Sequence, residues 1–239
     1  MFDIVLPNAR HFKRCADCLR DVVHELTVCV TPERIRAHAC AEHVVVEATF
    51  LAERTLQYEV TQECRFGLST DTLGKLLRSA AMDQKLRLSL HDTDVRFELF
   101  TDRNASRFTM PTLDAPTQEL PRSFEESVCR LSIRTEHFRS LLRDLRHVGE
   151  RVAIEVHEDA LILFGQSDNT TGEVVTRDVA IEGEQAAYGV YPLGLLHQFL
   201  KAQHVAPFVV LVFYPARLRL TLEATAILSL TLDEMGGEL

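Results

Sequence analysis

Arg139, Arg143 and Arg146 stand at spacings of four and three within RTEHFRSLLRDLRHVGE, residues 134–150. Wound as a helix at about 100° per residue, the three fall on one stripe. A row of guanidinium groups is permanently charged, so the chemistry open to it is attraction of a polyanion rather than proton transfer. Phe138, Leu141, Leu142, Leu145 and Val148 fall on the opposite stripe and call for a hydrophobic sheet beneath them. A single helix of this kind also reads as an ordinary solvated face. Recurrence along the chain argues for more than that.

The other reactive side chains do not assemble into a catalytic or metal-binding pattern. Asp144 and His147 share the same helix, but three residues apart beside arginines they read as surface groups. Cys15 and Cys18 form a CADC motif, a spacing that serves metal and redox sites elsewhere. No second CxxC or CxxH lies near it, and both cysteines fall toward the buried face of a helix, so the reading is structural. The six cysteines lie in apolar contexts such as LTVCV (Cys29), QECRF (Cys64) and SVCRL (Cys129), without paired spacing, which suits a reducing compartment. No GxSxG, P-loop or HExxH motif occurs. The expectation is a protein that is not an enzyme and needs no cofactor and no metal.

The elements that must position the arginines repeat. Residues 2–6 alternate like a short strand, and Asn8 is placed to cap a helix over about 8–23. Its apolar stripe is Phe12, Cys15, Ala16, Leu19, Val22 and Val23; Arg10, Lys13, Arg14 and Arg20 lie opposite, diluted by Asp17 and Asp21. Strand-like runs follow at 25–30, 34–39, 43–52 and 58–68. A second helix over about 70–82, capped by Thr70 or Asp71, turns Leu73, Leu76, Leu77 and Ala80 one way and Lys75 and Arg78 the other. Strands at 86–91, 95–100 and 105–113 complete the half. Residues 114–127, DAPTQELPRSFEES, carry two prolines and neither period, and read as a linker. A strand at 127–133, the helix at 135–148, strands at 151–157, 159–167, 171–181 and 186–191, a helix at 192–204 and strands at 208–214, 217–223 and 226–232 then replay the order. This predicts an α+β protein of two similar domains, 1–113 and 128–239, joined by a connector at 114–127, each with two helices backed by antiparallel sheet.

Charge is sorted along these elements. The four helical segments hold ten basic and five acidic residues, a net of +5; the remainder holds sixteen and thirty, a net of −14, which together give the chain its −9. The fourth helix contributes only Lys201 and His197. Helices that share one surface would attract a polyanion there while the rest of the molecule repels it. The 239 residues suffice for two domains of roughly 115–120. The N-terminal MFDIVLPNARHFKR lacks the apolar core of a signal peptide, and no apolar run approaches the ~20 residues that span a bilayer. A soluble intracellular protein without a membrane partner is expected.

The stretch DLRHVGERVAIEVHEDALILFGQSDNTTGEV (144–174), MF at the start, Lys13-Arg14 and Arg20, the His43-Val44 pair and TLGKLLRSA (72–80) with Lys75 and Arg78 resemble the PCNA family, the eukaryotic and archaeal DNA sliding clamps. The likeness is diffuse but extends over nearly the whole chain without large insertions. It implies the DNA-clamp fold, ring-forming, in which three subunits close head to tail around duplex DNA and hold polymerase on its template. It implies sequence-blind contacts to DNA from Arg10, Lys13, Arg14, Arg20, Lys75, Arg78, Arg139, Arg143, Arg146 and Lys201. It implies a subunit interface between edge strands, with Arg107, Phe108 and Met110 on one and Val174, Val175 and Arg177 on the other. It places a pocket for clamp-binding peptide motifs at His43, Val44, Val46, Leu120, Pro121, Leu230 and Leu232. Further implied partners are a DNA polymerase and a clamp loader, and the implied location is the nucleus or a viral replication compartment. The chain departs from the family at QELP (118–121), where a more hydrophobic segment is usual, at YEVTQE (58–63), where a basic stretch is usual, and at AILSLTLDEMGGEL (226–239), which lacks the usual aromatic and Ala-Pro residues. Such divergence suits a viral clamp, a fast-evolving lineage or a specialised paralogue. Three readings of the same fold follow: a homotrimeric replication clamp, one subunit of a heterotrimeric DNA-damage checkpoint clamp, or a viral processivity factor working as a monomer or dimer.

Overall fold

The computed structural model describes residues 1–20, 22–41, 43–115, 126–183, 186–204, 206–224 and 226–235. The chain divides into two compact units. The first comprises Met1–Ala41, Val46–Gln118 and Ala224–Leu228; the second comprises Glu42–Val45, Glu119–Glu223 and Ser229–Leu239. The boundary is therefore not a single cut through the connector. Glu42–Val45 falls with the second half of the sequence and Ala224–Leu228 with the first. Residues 116–125, the middle of the expected connector, lie outside the described residues.

The first unit runs β1 (Phe2–Leu6), α1 (Ala9–Arg20), β2 (Glu25–Val30), β3 (Arg34–Ala41), β4 (Val44–Leu51), β5 (Gln57–Val60), β6 (Cys64–Ser69), α2 (Thr70–Leu76), β7 (Lys85–His91), β8 (Asp94–Phe100) and β9 (Ala105–Pro111). One sheet has the order β5-β1-β7-β8-β9, and the strands β4-β3-β2-β6 lie side by side in another. The strands come from period-two alternation. In β8, Val95, Phe97 and Leu99 are buried while Arg96 is exposed. In register with them across the ladder, Leu86 and Leu88 of β7 face the same core. The helix α1 buries Cys15, Ala16, Cys18 and Leu19, and α2 buries Leu73. These make one apolar layer between helices and sheets.

The second unit runs β10 (Cys129–Arg134), α3 (Thr135–Leu145), β11 (Arg151–His157), β12 (Ala160–Ser167), β13 (Thr170–Thr176), β14 (Ala180–Glu182), β15 (Ala187–Pro192), α4 (Leu193–Phe199), β16 (Phe208–Tyr214), β17 (Arg217–Glu223) and β18 (Ile227–Asp233). The order of elements is that of the first unit, strand for strand and helix for helix. Pairings repeat as well: β1 with β5 and β7 is answered by β10 with β14 and β16, and β2 with β3 and β6 by β11 with β12 and β15. Even single hydrogen bonds recur. Ala9 N–H donates to Gln84 O at 2.8 Å, and Thr135 N–H to Pro207 O at 2.9 Å.

Several boundaries differ from expectation, each for a local reason. The run 58–68 is two strands, β5 and β6, because Thr61, Gln62 and Glu63 are polar, exposed and leave the ladder. The run 171–181 is likewise split into β13 and β14. There the Thr176 hydroxyl accepts the Asp178 N–H at 3.1 Å, a local turn that competes with strand pairing. Asn8 caps α1 as expected, its Oδ1 accepting the His11 N–H at 3.1 Å. The cap of α2 is Ser69 rather than Thr70 or Asp71, its hydroxyl accepting from Thr72 N–H at 3.4 Å. Thr70 is buried and donates instead to the Val23 and His24 carbonyls, tying the helix start to the loop after α1. The helices α2 and α4 tighten into 3-10 turns at Leu77–Ser79 and Leu200–His204.

The turn that delivers α3 to β11 admits no side chain at Gly149: a Cβ there would stand 2.4 Å from the Gln166 carbonyl oxygen. Backbone, unlike a side-chain tip, cannot step aside. Gly149→Ala should therefore destabilise the protein by about 1–3 kcal/mol, read as a lower denaturant midpoint at unchanged slope. A midpoint within error of the parent's would show that this turn relaxes freely.

Candidate nucleic-acid interface

The helix α3 buries Thr135, Phe138, Leu141, Leu142 and Leu145, packing against β10, β12 and β13. With that stripe committed, the helical repeat forces Arg139, Arg143 and Arg146 onto the open side. Arg143 and Arg146 are exposed and Arg139 is half-buried. The helix α4 lies against α3, and the 3-10 turn that follows it carries Lys201, also exposed. Between them sits His197. Burial, then the charges of Arg139, Arg146, Lys201 and Arg143, push its pKa below the ordinary histidine value. Four cations that bear on one imidazole stand on one surface of the second unit.

The first unit gathers its cations in the same way. Of the sequence-expected set, Arg10, Lys75 and Arg78 are exposed, and Lys13, Arg14 and Arg20 are half-buried. Lys13 Nζ donates to the Arg78 carbonyl at 3.1 Å, pinning α1 to the turn after α2. Arg20 reaches across α2 at Gly74, where an added Cβ would meet its Nη1 at 2.6 Å. Arg20 also lies 3.5 Å from Asp17. Burial and then Arg10 lower the Arg14 pKa, while burial and then Arg14 lower that of His11. Like charges crowd this face, and crowding of like charges is unfavourable unless an anion relieves it.

Sequence spacing located every one of these cations but not how they meet. The stacking of Arg20 over Gly74 and the four-cation setting of His197 depend on helix–helix packing. The only trace in the letters was LGK in one helix and the HQFLK spacing in the other.

The expected peptide-pocket residues are placed unequally. The His43 side chain is 71% exposed, 3.8 Å from Asp233, and its carbonyl accepts the Asp233 N–H at 3.0 Å. Val44 is half-buried. Val46, Leu230 and Leu232 are core side chains at 1%, 0% and 0% exposure, so they offer no surface as they stand. Leu120 and Pro121 lie outside the described residues.

Of the expected interface residues, Arg107, Phe108 and Met110 are on β9, an edge strand of its sheet. Arg107 is exposed and pairs with Glu98 at 2.7 Å; Phe108 is half-buried, and Met110 points into the core. Val174 and Val175 are on β13, an edge strand of the β13-β12-β11-β15 sheet, with Val175 45% exposed. Arg177 follows the strand and pairs with Asp159 at 3.3 Å.

Cys15 and Cys18 are buried, and burial pushes the Cys15 thiol up to about 12. A thiol held protonated is a poor metal ligand and a poor nucleophile. Among the described residues no helix is long and apolar enough to cross a membrane.

Comparison with known proteins agrees with this geometry. Residues 1–116 match the family model described as "Proliferating cell nuclear antigen, N-terminal domain". A curated protein named DNA polymerase sliding clamp from Thermofilum pendens is 26% identical over 201 residues, covering 80% of this chain and 81% of its own length. DNA polymerase sliding clamp 3 from Aeropyrum pernix is 25% identical over 214 residues, 86% of each chain. DNA polymerase sliding clamp 1 from Pyrobaculum aerophilum is 23% identical over 169 residues, 70% of this chain and 68% of its own.

The contact at Gly74 is with the flexible end of the Arg20 side chain, whose Nη1, Cδ and Cζ are the nearest atoms outside its own helix. Gly74→Ala should remove a helix-interior glycine and raise stability by up to about 1 kcal/mol, with Arg20 displaced. Equilibrium unfolding measures it; clear destabilisation would mean that the Arg20 crossing supports the fold itself.

Proposed function

We propose that this chain, which belongs to the PCNA family, works as a DNA sliding clamp that encircles duplex DNA and tethers polymerase to it. The observation that carries the reading is that each unit, taken by itself, gathers cations on the open side of its helices, from α1 and α2 with its 3-10 turn in the first and from α3 and the 3-10 turn after α4 in the second, while burying the opposite stripes. A face of this kind fits a regular row of phosphates. Arg10, Lys13, Arg14, Arg20, Lys75, Arg78, Arg139, Arg143, Arg146 and Lys201 would supply contacts to phosphate and none that read bases, which is what sliding requires. The clamp does no covalent chemistry; its work is topological.

A ring supplies the enclosure. In the replay of elements, β9 corresponds to β18 and β13 to β4. Within the second unit the end of β18 already bonds to the residue before β4, Asp233 N–H to His43 O. The counterparts β9 and β13 are sheet edges, and edges with free backbone groups invite a further strand. Pairing of β9 from one copy with β13 of the next is head-to-tail, and such contacts close into a ring when the rotation allows. A homotrimer is the proposed closure. A clamp loader, a DNA polymerase and peptide motifs docking near His43 and Val44 are the proposed partners. The chain would act wherever DNA is replicated, in a nucleated cell the nucleus.

Light scattering on the pure protein should give the mass of three chains. A monomer that assembles only with other chains would favour the heterotrimeric checkpoint reading, and a dimer the non-ring viral one. The triple replacement Arg139→Ala, Arg143→Ala, Arg146→Ala should leave unfolding nearly unchanged, because these side chains lie outside the core. It should shorten processive synthesis by the cognate polymerase, more so as salt is raised. Unchanged processivity would remove those arginines from the DNA path.

A further inference from the structure

His197 occupies the place in the second unit that Gly74 holds in the first. The correspondence follows from matching bonds at the two helix starts: Thr70 N–H donates to His24 O at 2.9 Å, and Leu193 N–H to Glu150 O at 3.0 Å. Gly74 and His197 are each four residues further on. In the first unit that position is crossed by the Arg20 guanidinium. In the second it carries an imidazole instead, amid Arg139, Arg143 and Arg146 from α3 and Lys201 one turn along. The helix α4 also packs on β11 and β15. Neither strand adds a charge to those bearing on His197, and no carboxylate is among them. The ring is half-buried, and its Nδ1 is buried without a partner among the described residues.

We propose that His197 is a phosphate contact of the DNA-binding face and takes up a proton from the solvent when a duplex backbone seats there. This rests on the clamp reading above. Without DNA, partial burial and then four cations push the imidazole's pKa below the ordinary histidine value and so favour its neutral form. A phosphodiester placed among the same cations reverses the local sign. The imidazolium then gains an anion, and both ring nitrogens carry N–H groups. No bond to phosphorus forms; one proton moves from buffer to imidazole for each phosphate seated. The sign follows directly. The pKa is low in the free protein and higher in the complex, so binding strengthens as pH falls through the bound-state value. Above that value the contribution vanishes. Arg20 in the first unit has no such dependence, since guanidinium does not titrate in this range.

The test uses the full chain and a short blunt duplex as probe. The His197 ring resonances are followed by NMR from pH 5 to 8, with and without DNA. The expected result is a midpoint below that of an ordinary histidine in the free protein and a clear upward move with DNA. In parallel, duplex affinity is measured by anisotropy over the same pH range for the parent and His197→Gln. The parent should lose affinity with rising pH more steeply, the excess being at most about tenfold per pH unit for one proton. Equal pH slopes, or a His197 midpoint that DNA does not move, overturn the proposal while leaving the clamp reading intact. Failure of the parent to bind duplex at any pH, alone or after loading on circular DNA, overturns both. The NMR arm needs no variant, so it stands even if His197→Gln folds poorly.

Discussion

Everything proposed for this protein depends on one constraint, the burial of a single apolar stripe on each helix. Phe138 and Leu142 are wholly inaccessible, and Leu145 nearly so. Because a helix turns about 100° per residue, committing that stripe to the sheet leaves Arg139, Arg143 and Arg146 no inward option. The orientation of the basic face is thus a consequence of hydrophobic packing. The ion pair of Arg20 with Asp17 is half exposed, and pairs of that kind contribute little.

Clustered positive charge is unfavourable in the free protein, and the two units absorb it differently. In the first, Lys13 is anchored to a backbone carbonyl and Arg20 lies in the space that Gly74 leaves. In the second, the equivalent space holds His197, a group able to give up its charge. An acidic remainder, net −14 outside the helical segments, keeps the chain as a whole anionic and confines the attraction to the helical faces. A net charge of −9 therefore does not argue against a DNA partner, because the field near a surface follows the local arrangement of charge.

The internal duplication also explains the sheet edges. The same order of nine strands and two helices appears in each unit. In each unit one of these strands stands at a sheet edge, β9 in the first and β13 in the second. Arg107, paired to Glu98 on the neighbouring strand, and Arg177, paired to Asp159 in the β11–β12 turn, put charge beside those edges without covering their backbone groups.

Much of this was legible in the letters. Period-two alternation marked the strands, the two-faced helices carried their cations at spacings of three and four, and the repeat was visible as a recurring order. Those features are local, set by which side chains neighbour one another along a strand or around a helix. Most of what the letters left open depends on contacts between distant residues. The burial of Val46, Leu230 and Leu232 was decided by packing partners far away in sequence, and so was the tie of Thr70 to the Val23 and His24 carbonyls; the breaks at 61–63 and 177–179 are local ones that alternation alone does not mark. By itself the sequence determined which residues are basic, which are apolar and how each set is spaced. Only the tertiary structure decided that Arg20 would cross Gly74 and that four cations would surround His197, because helix–helix packing brings those side chains together and no short-range pattern encodes it.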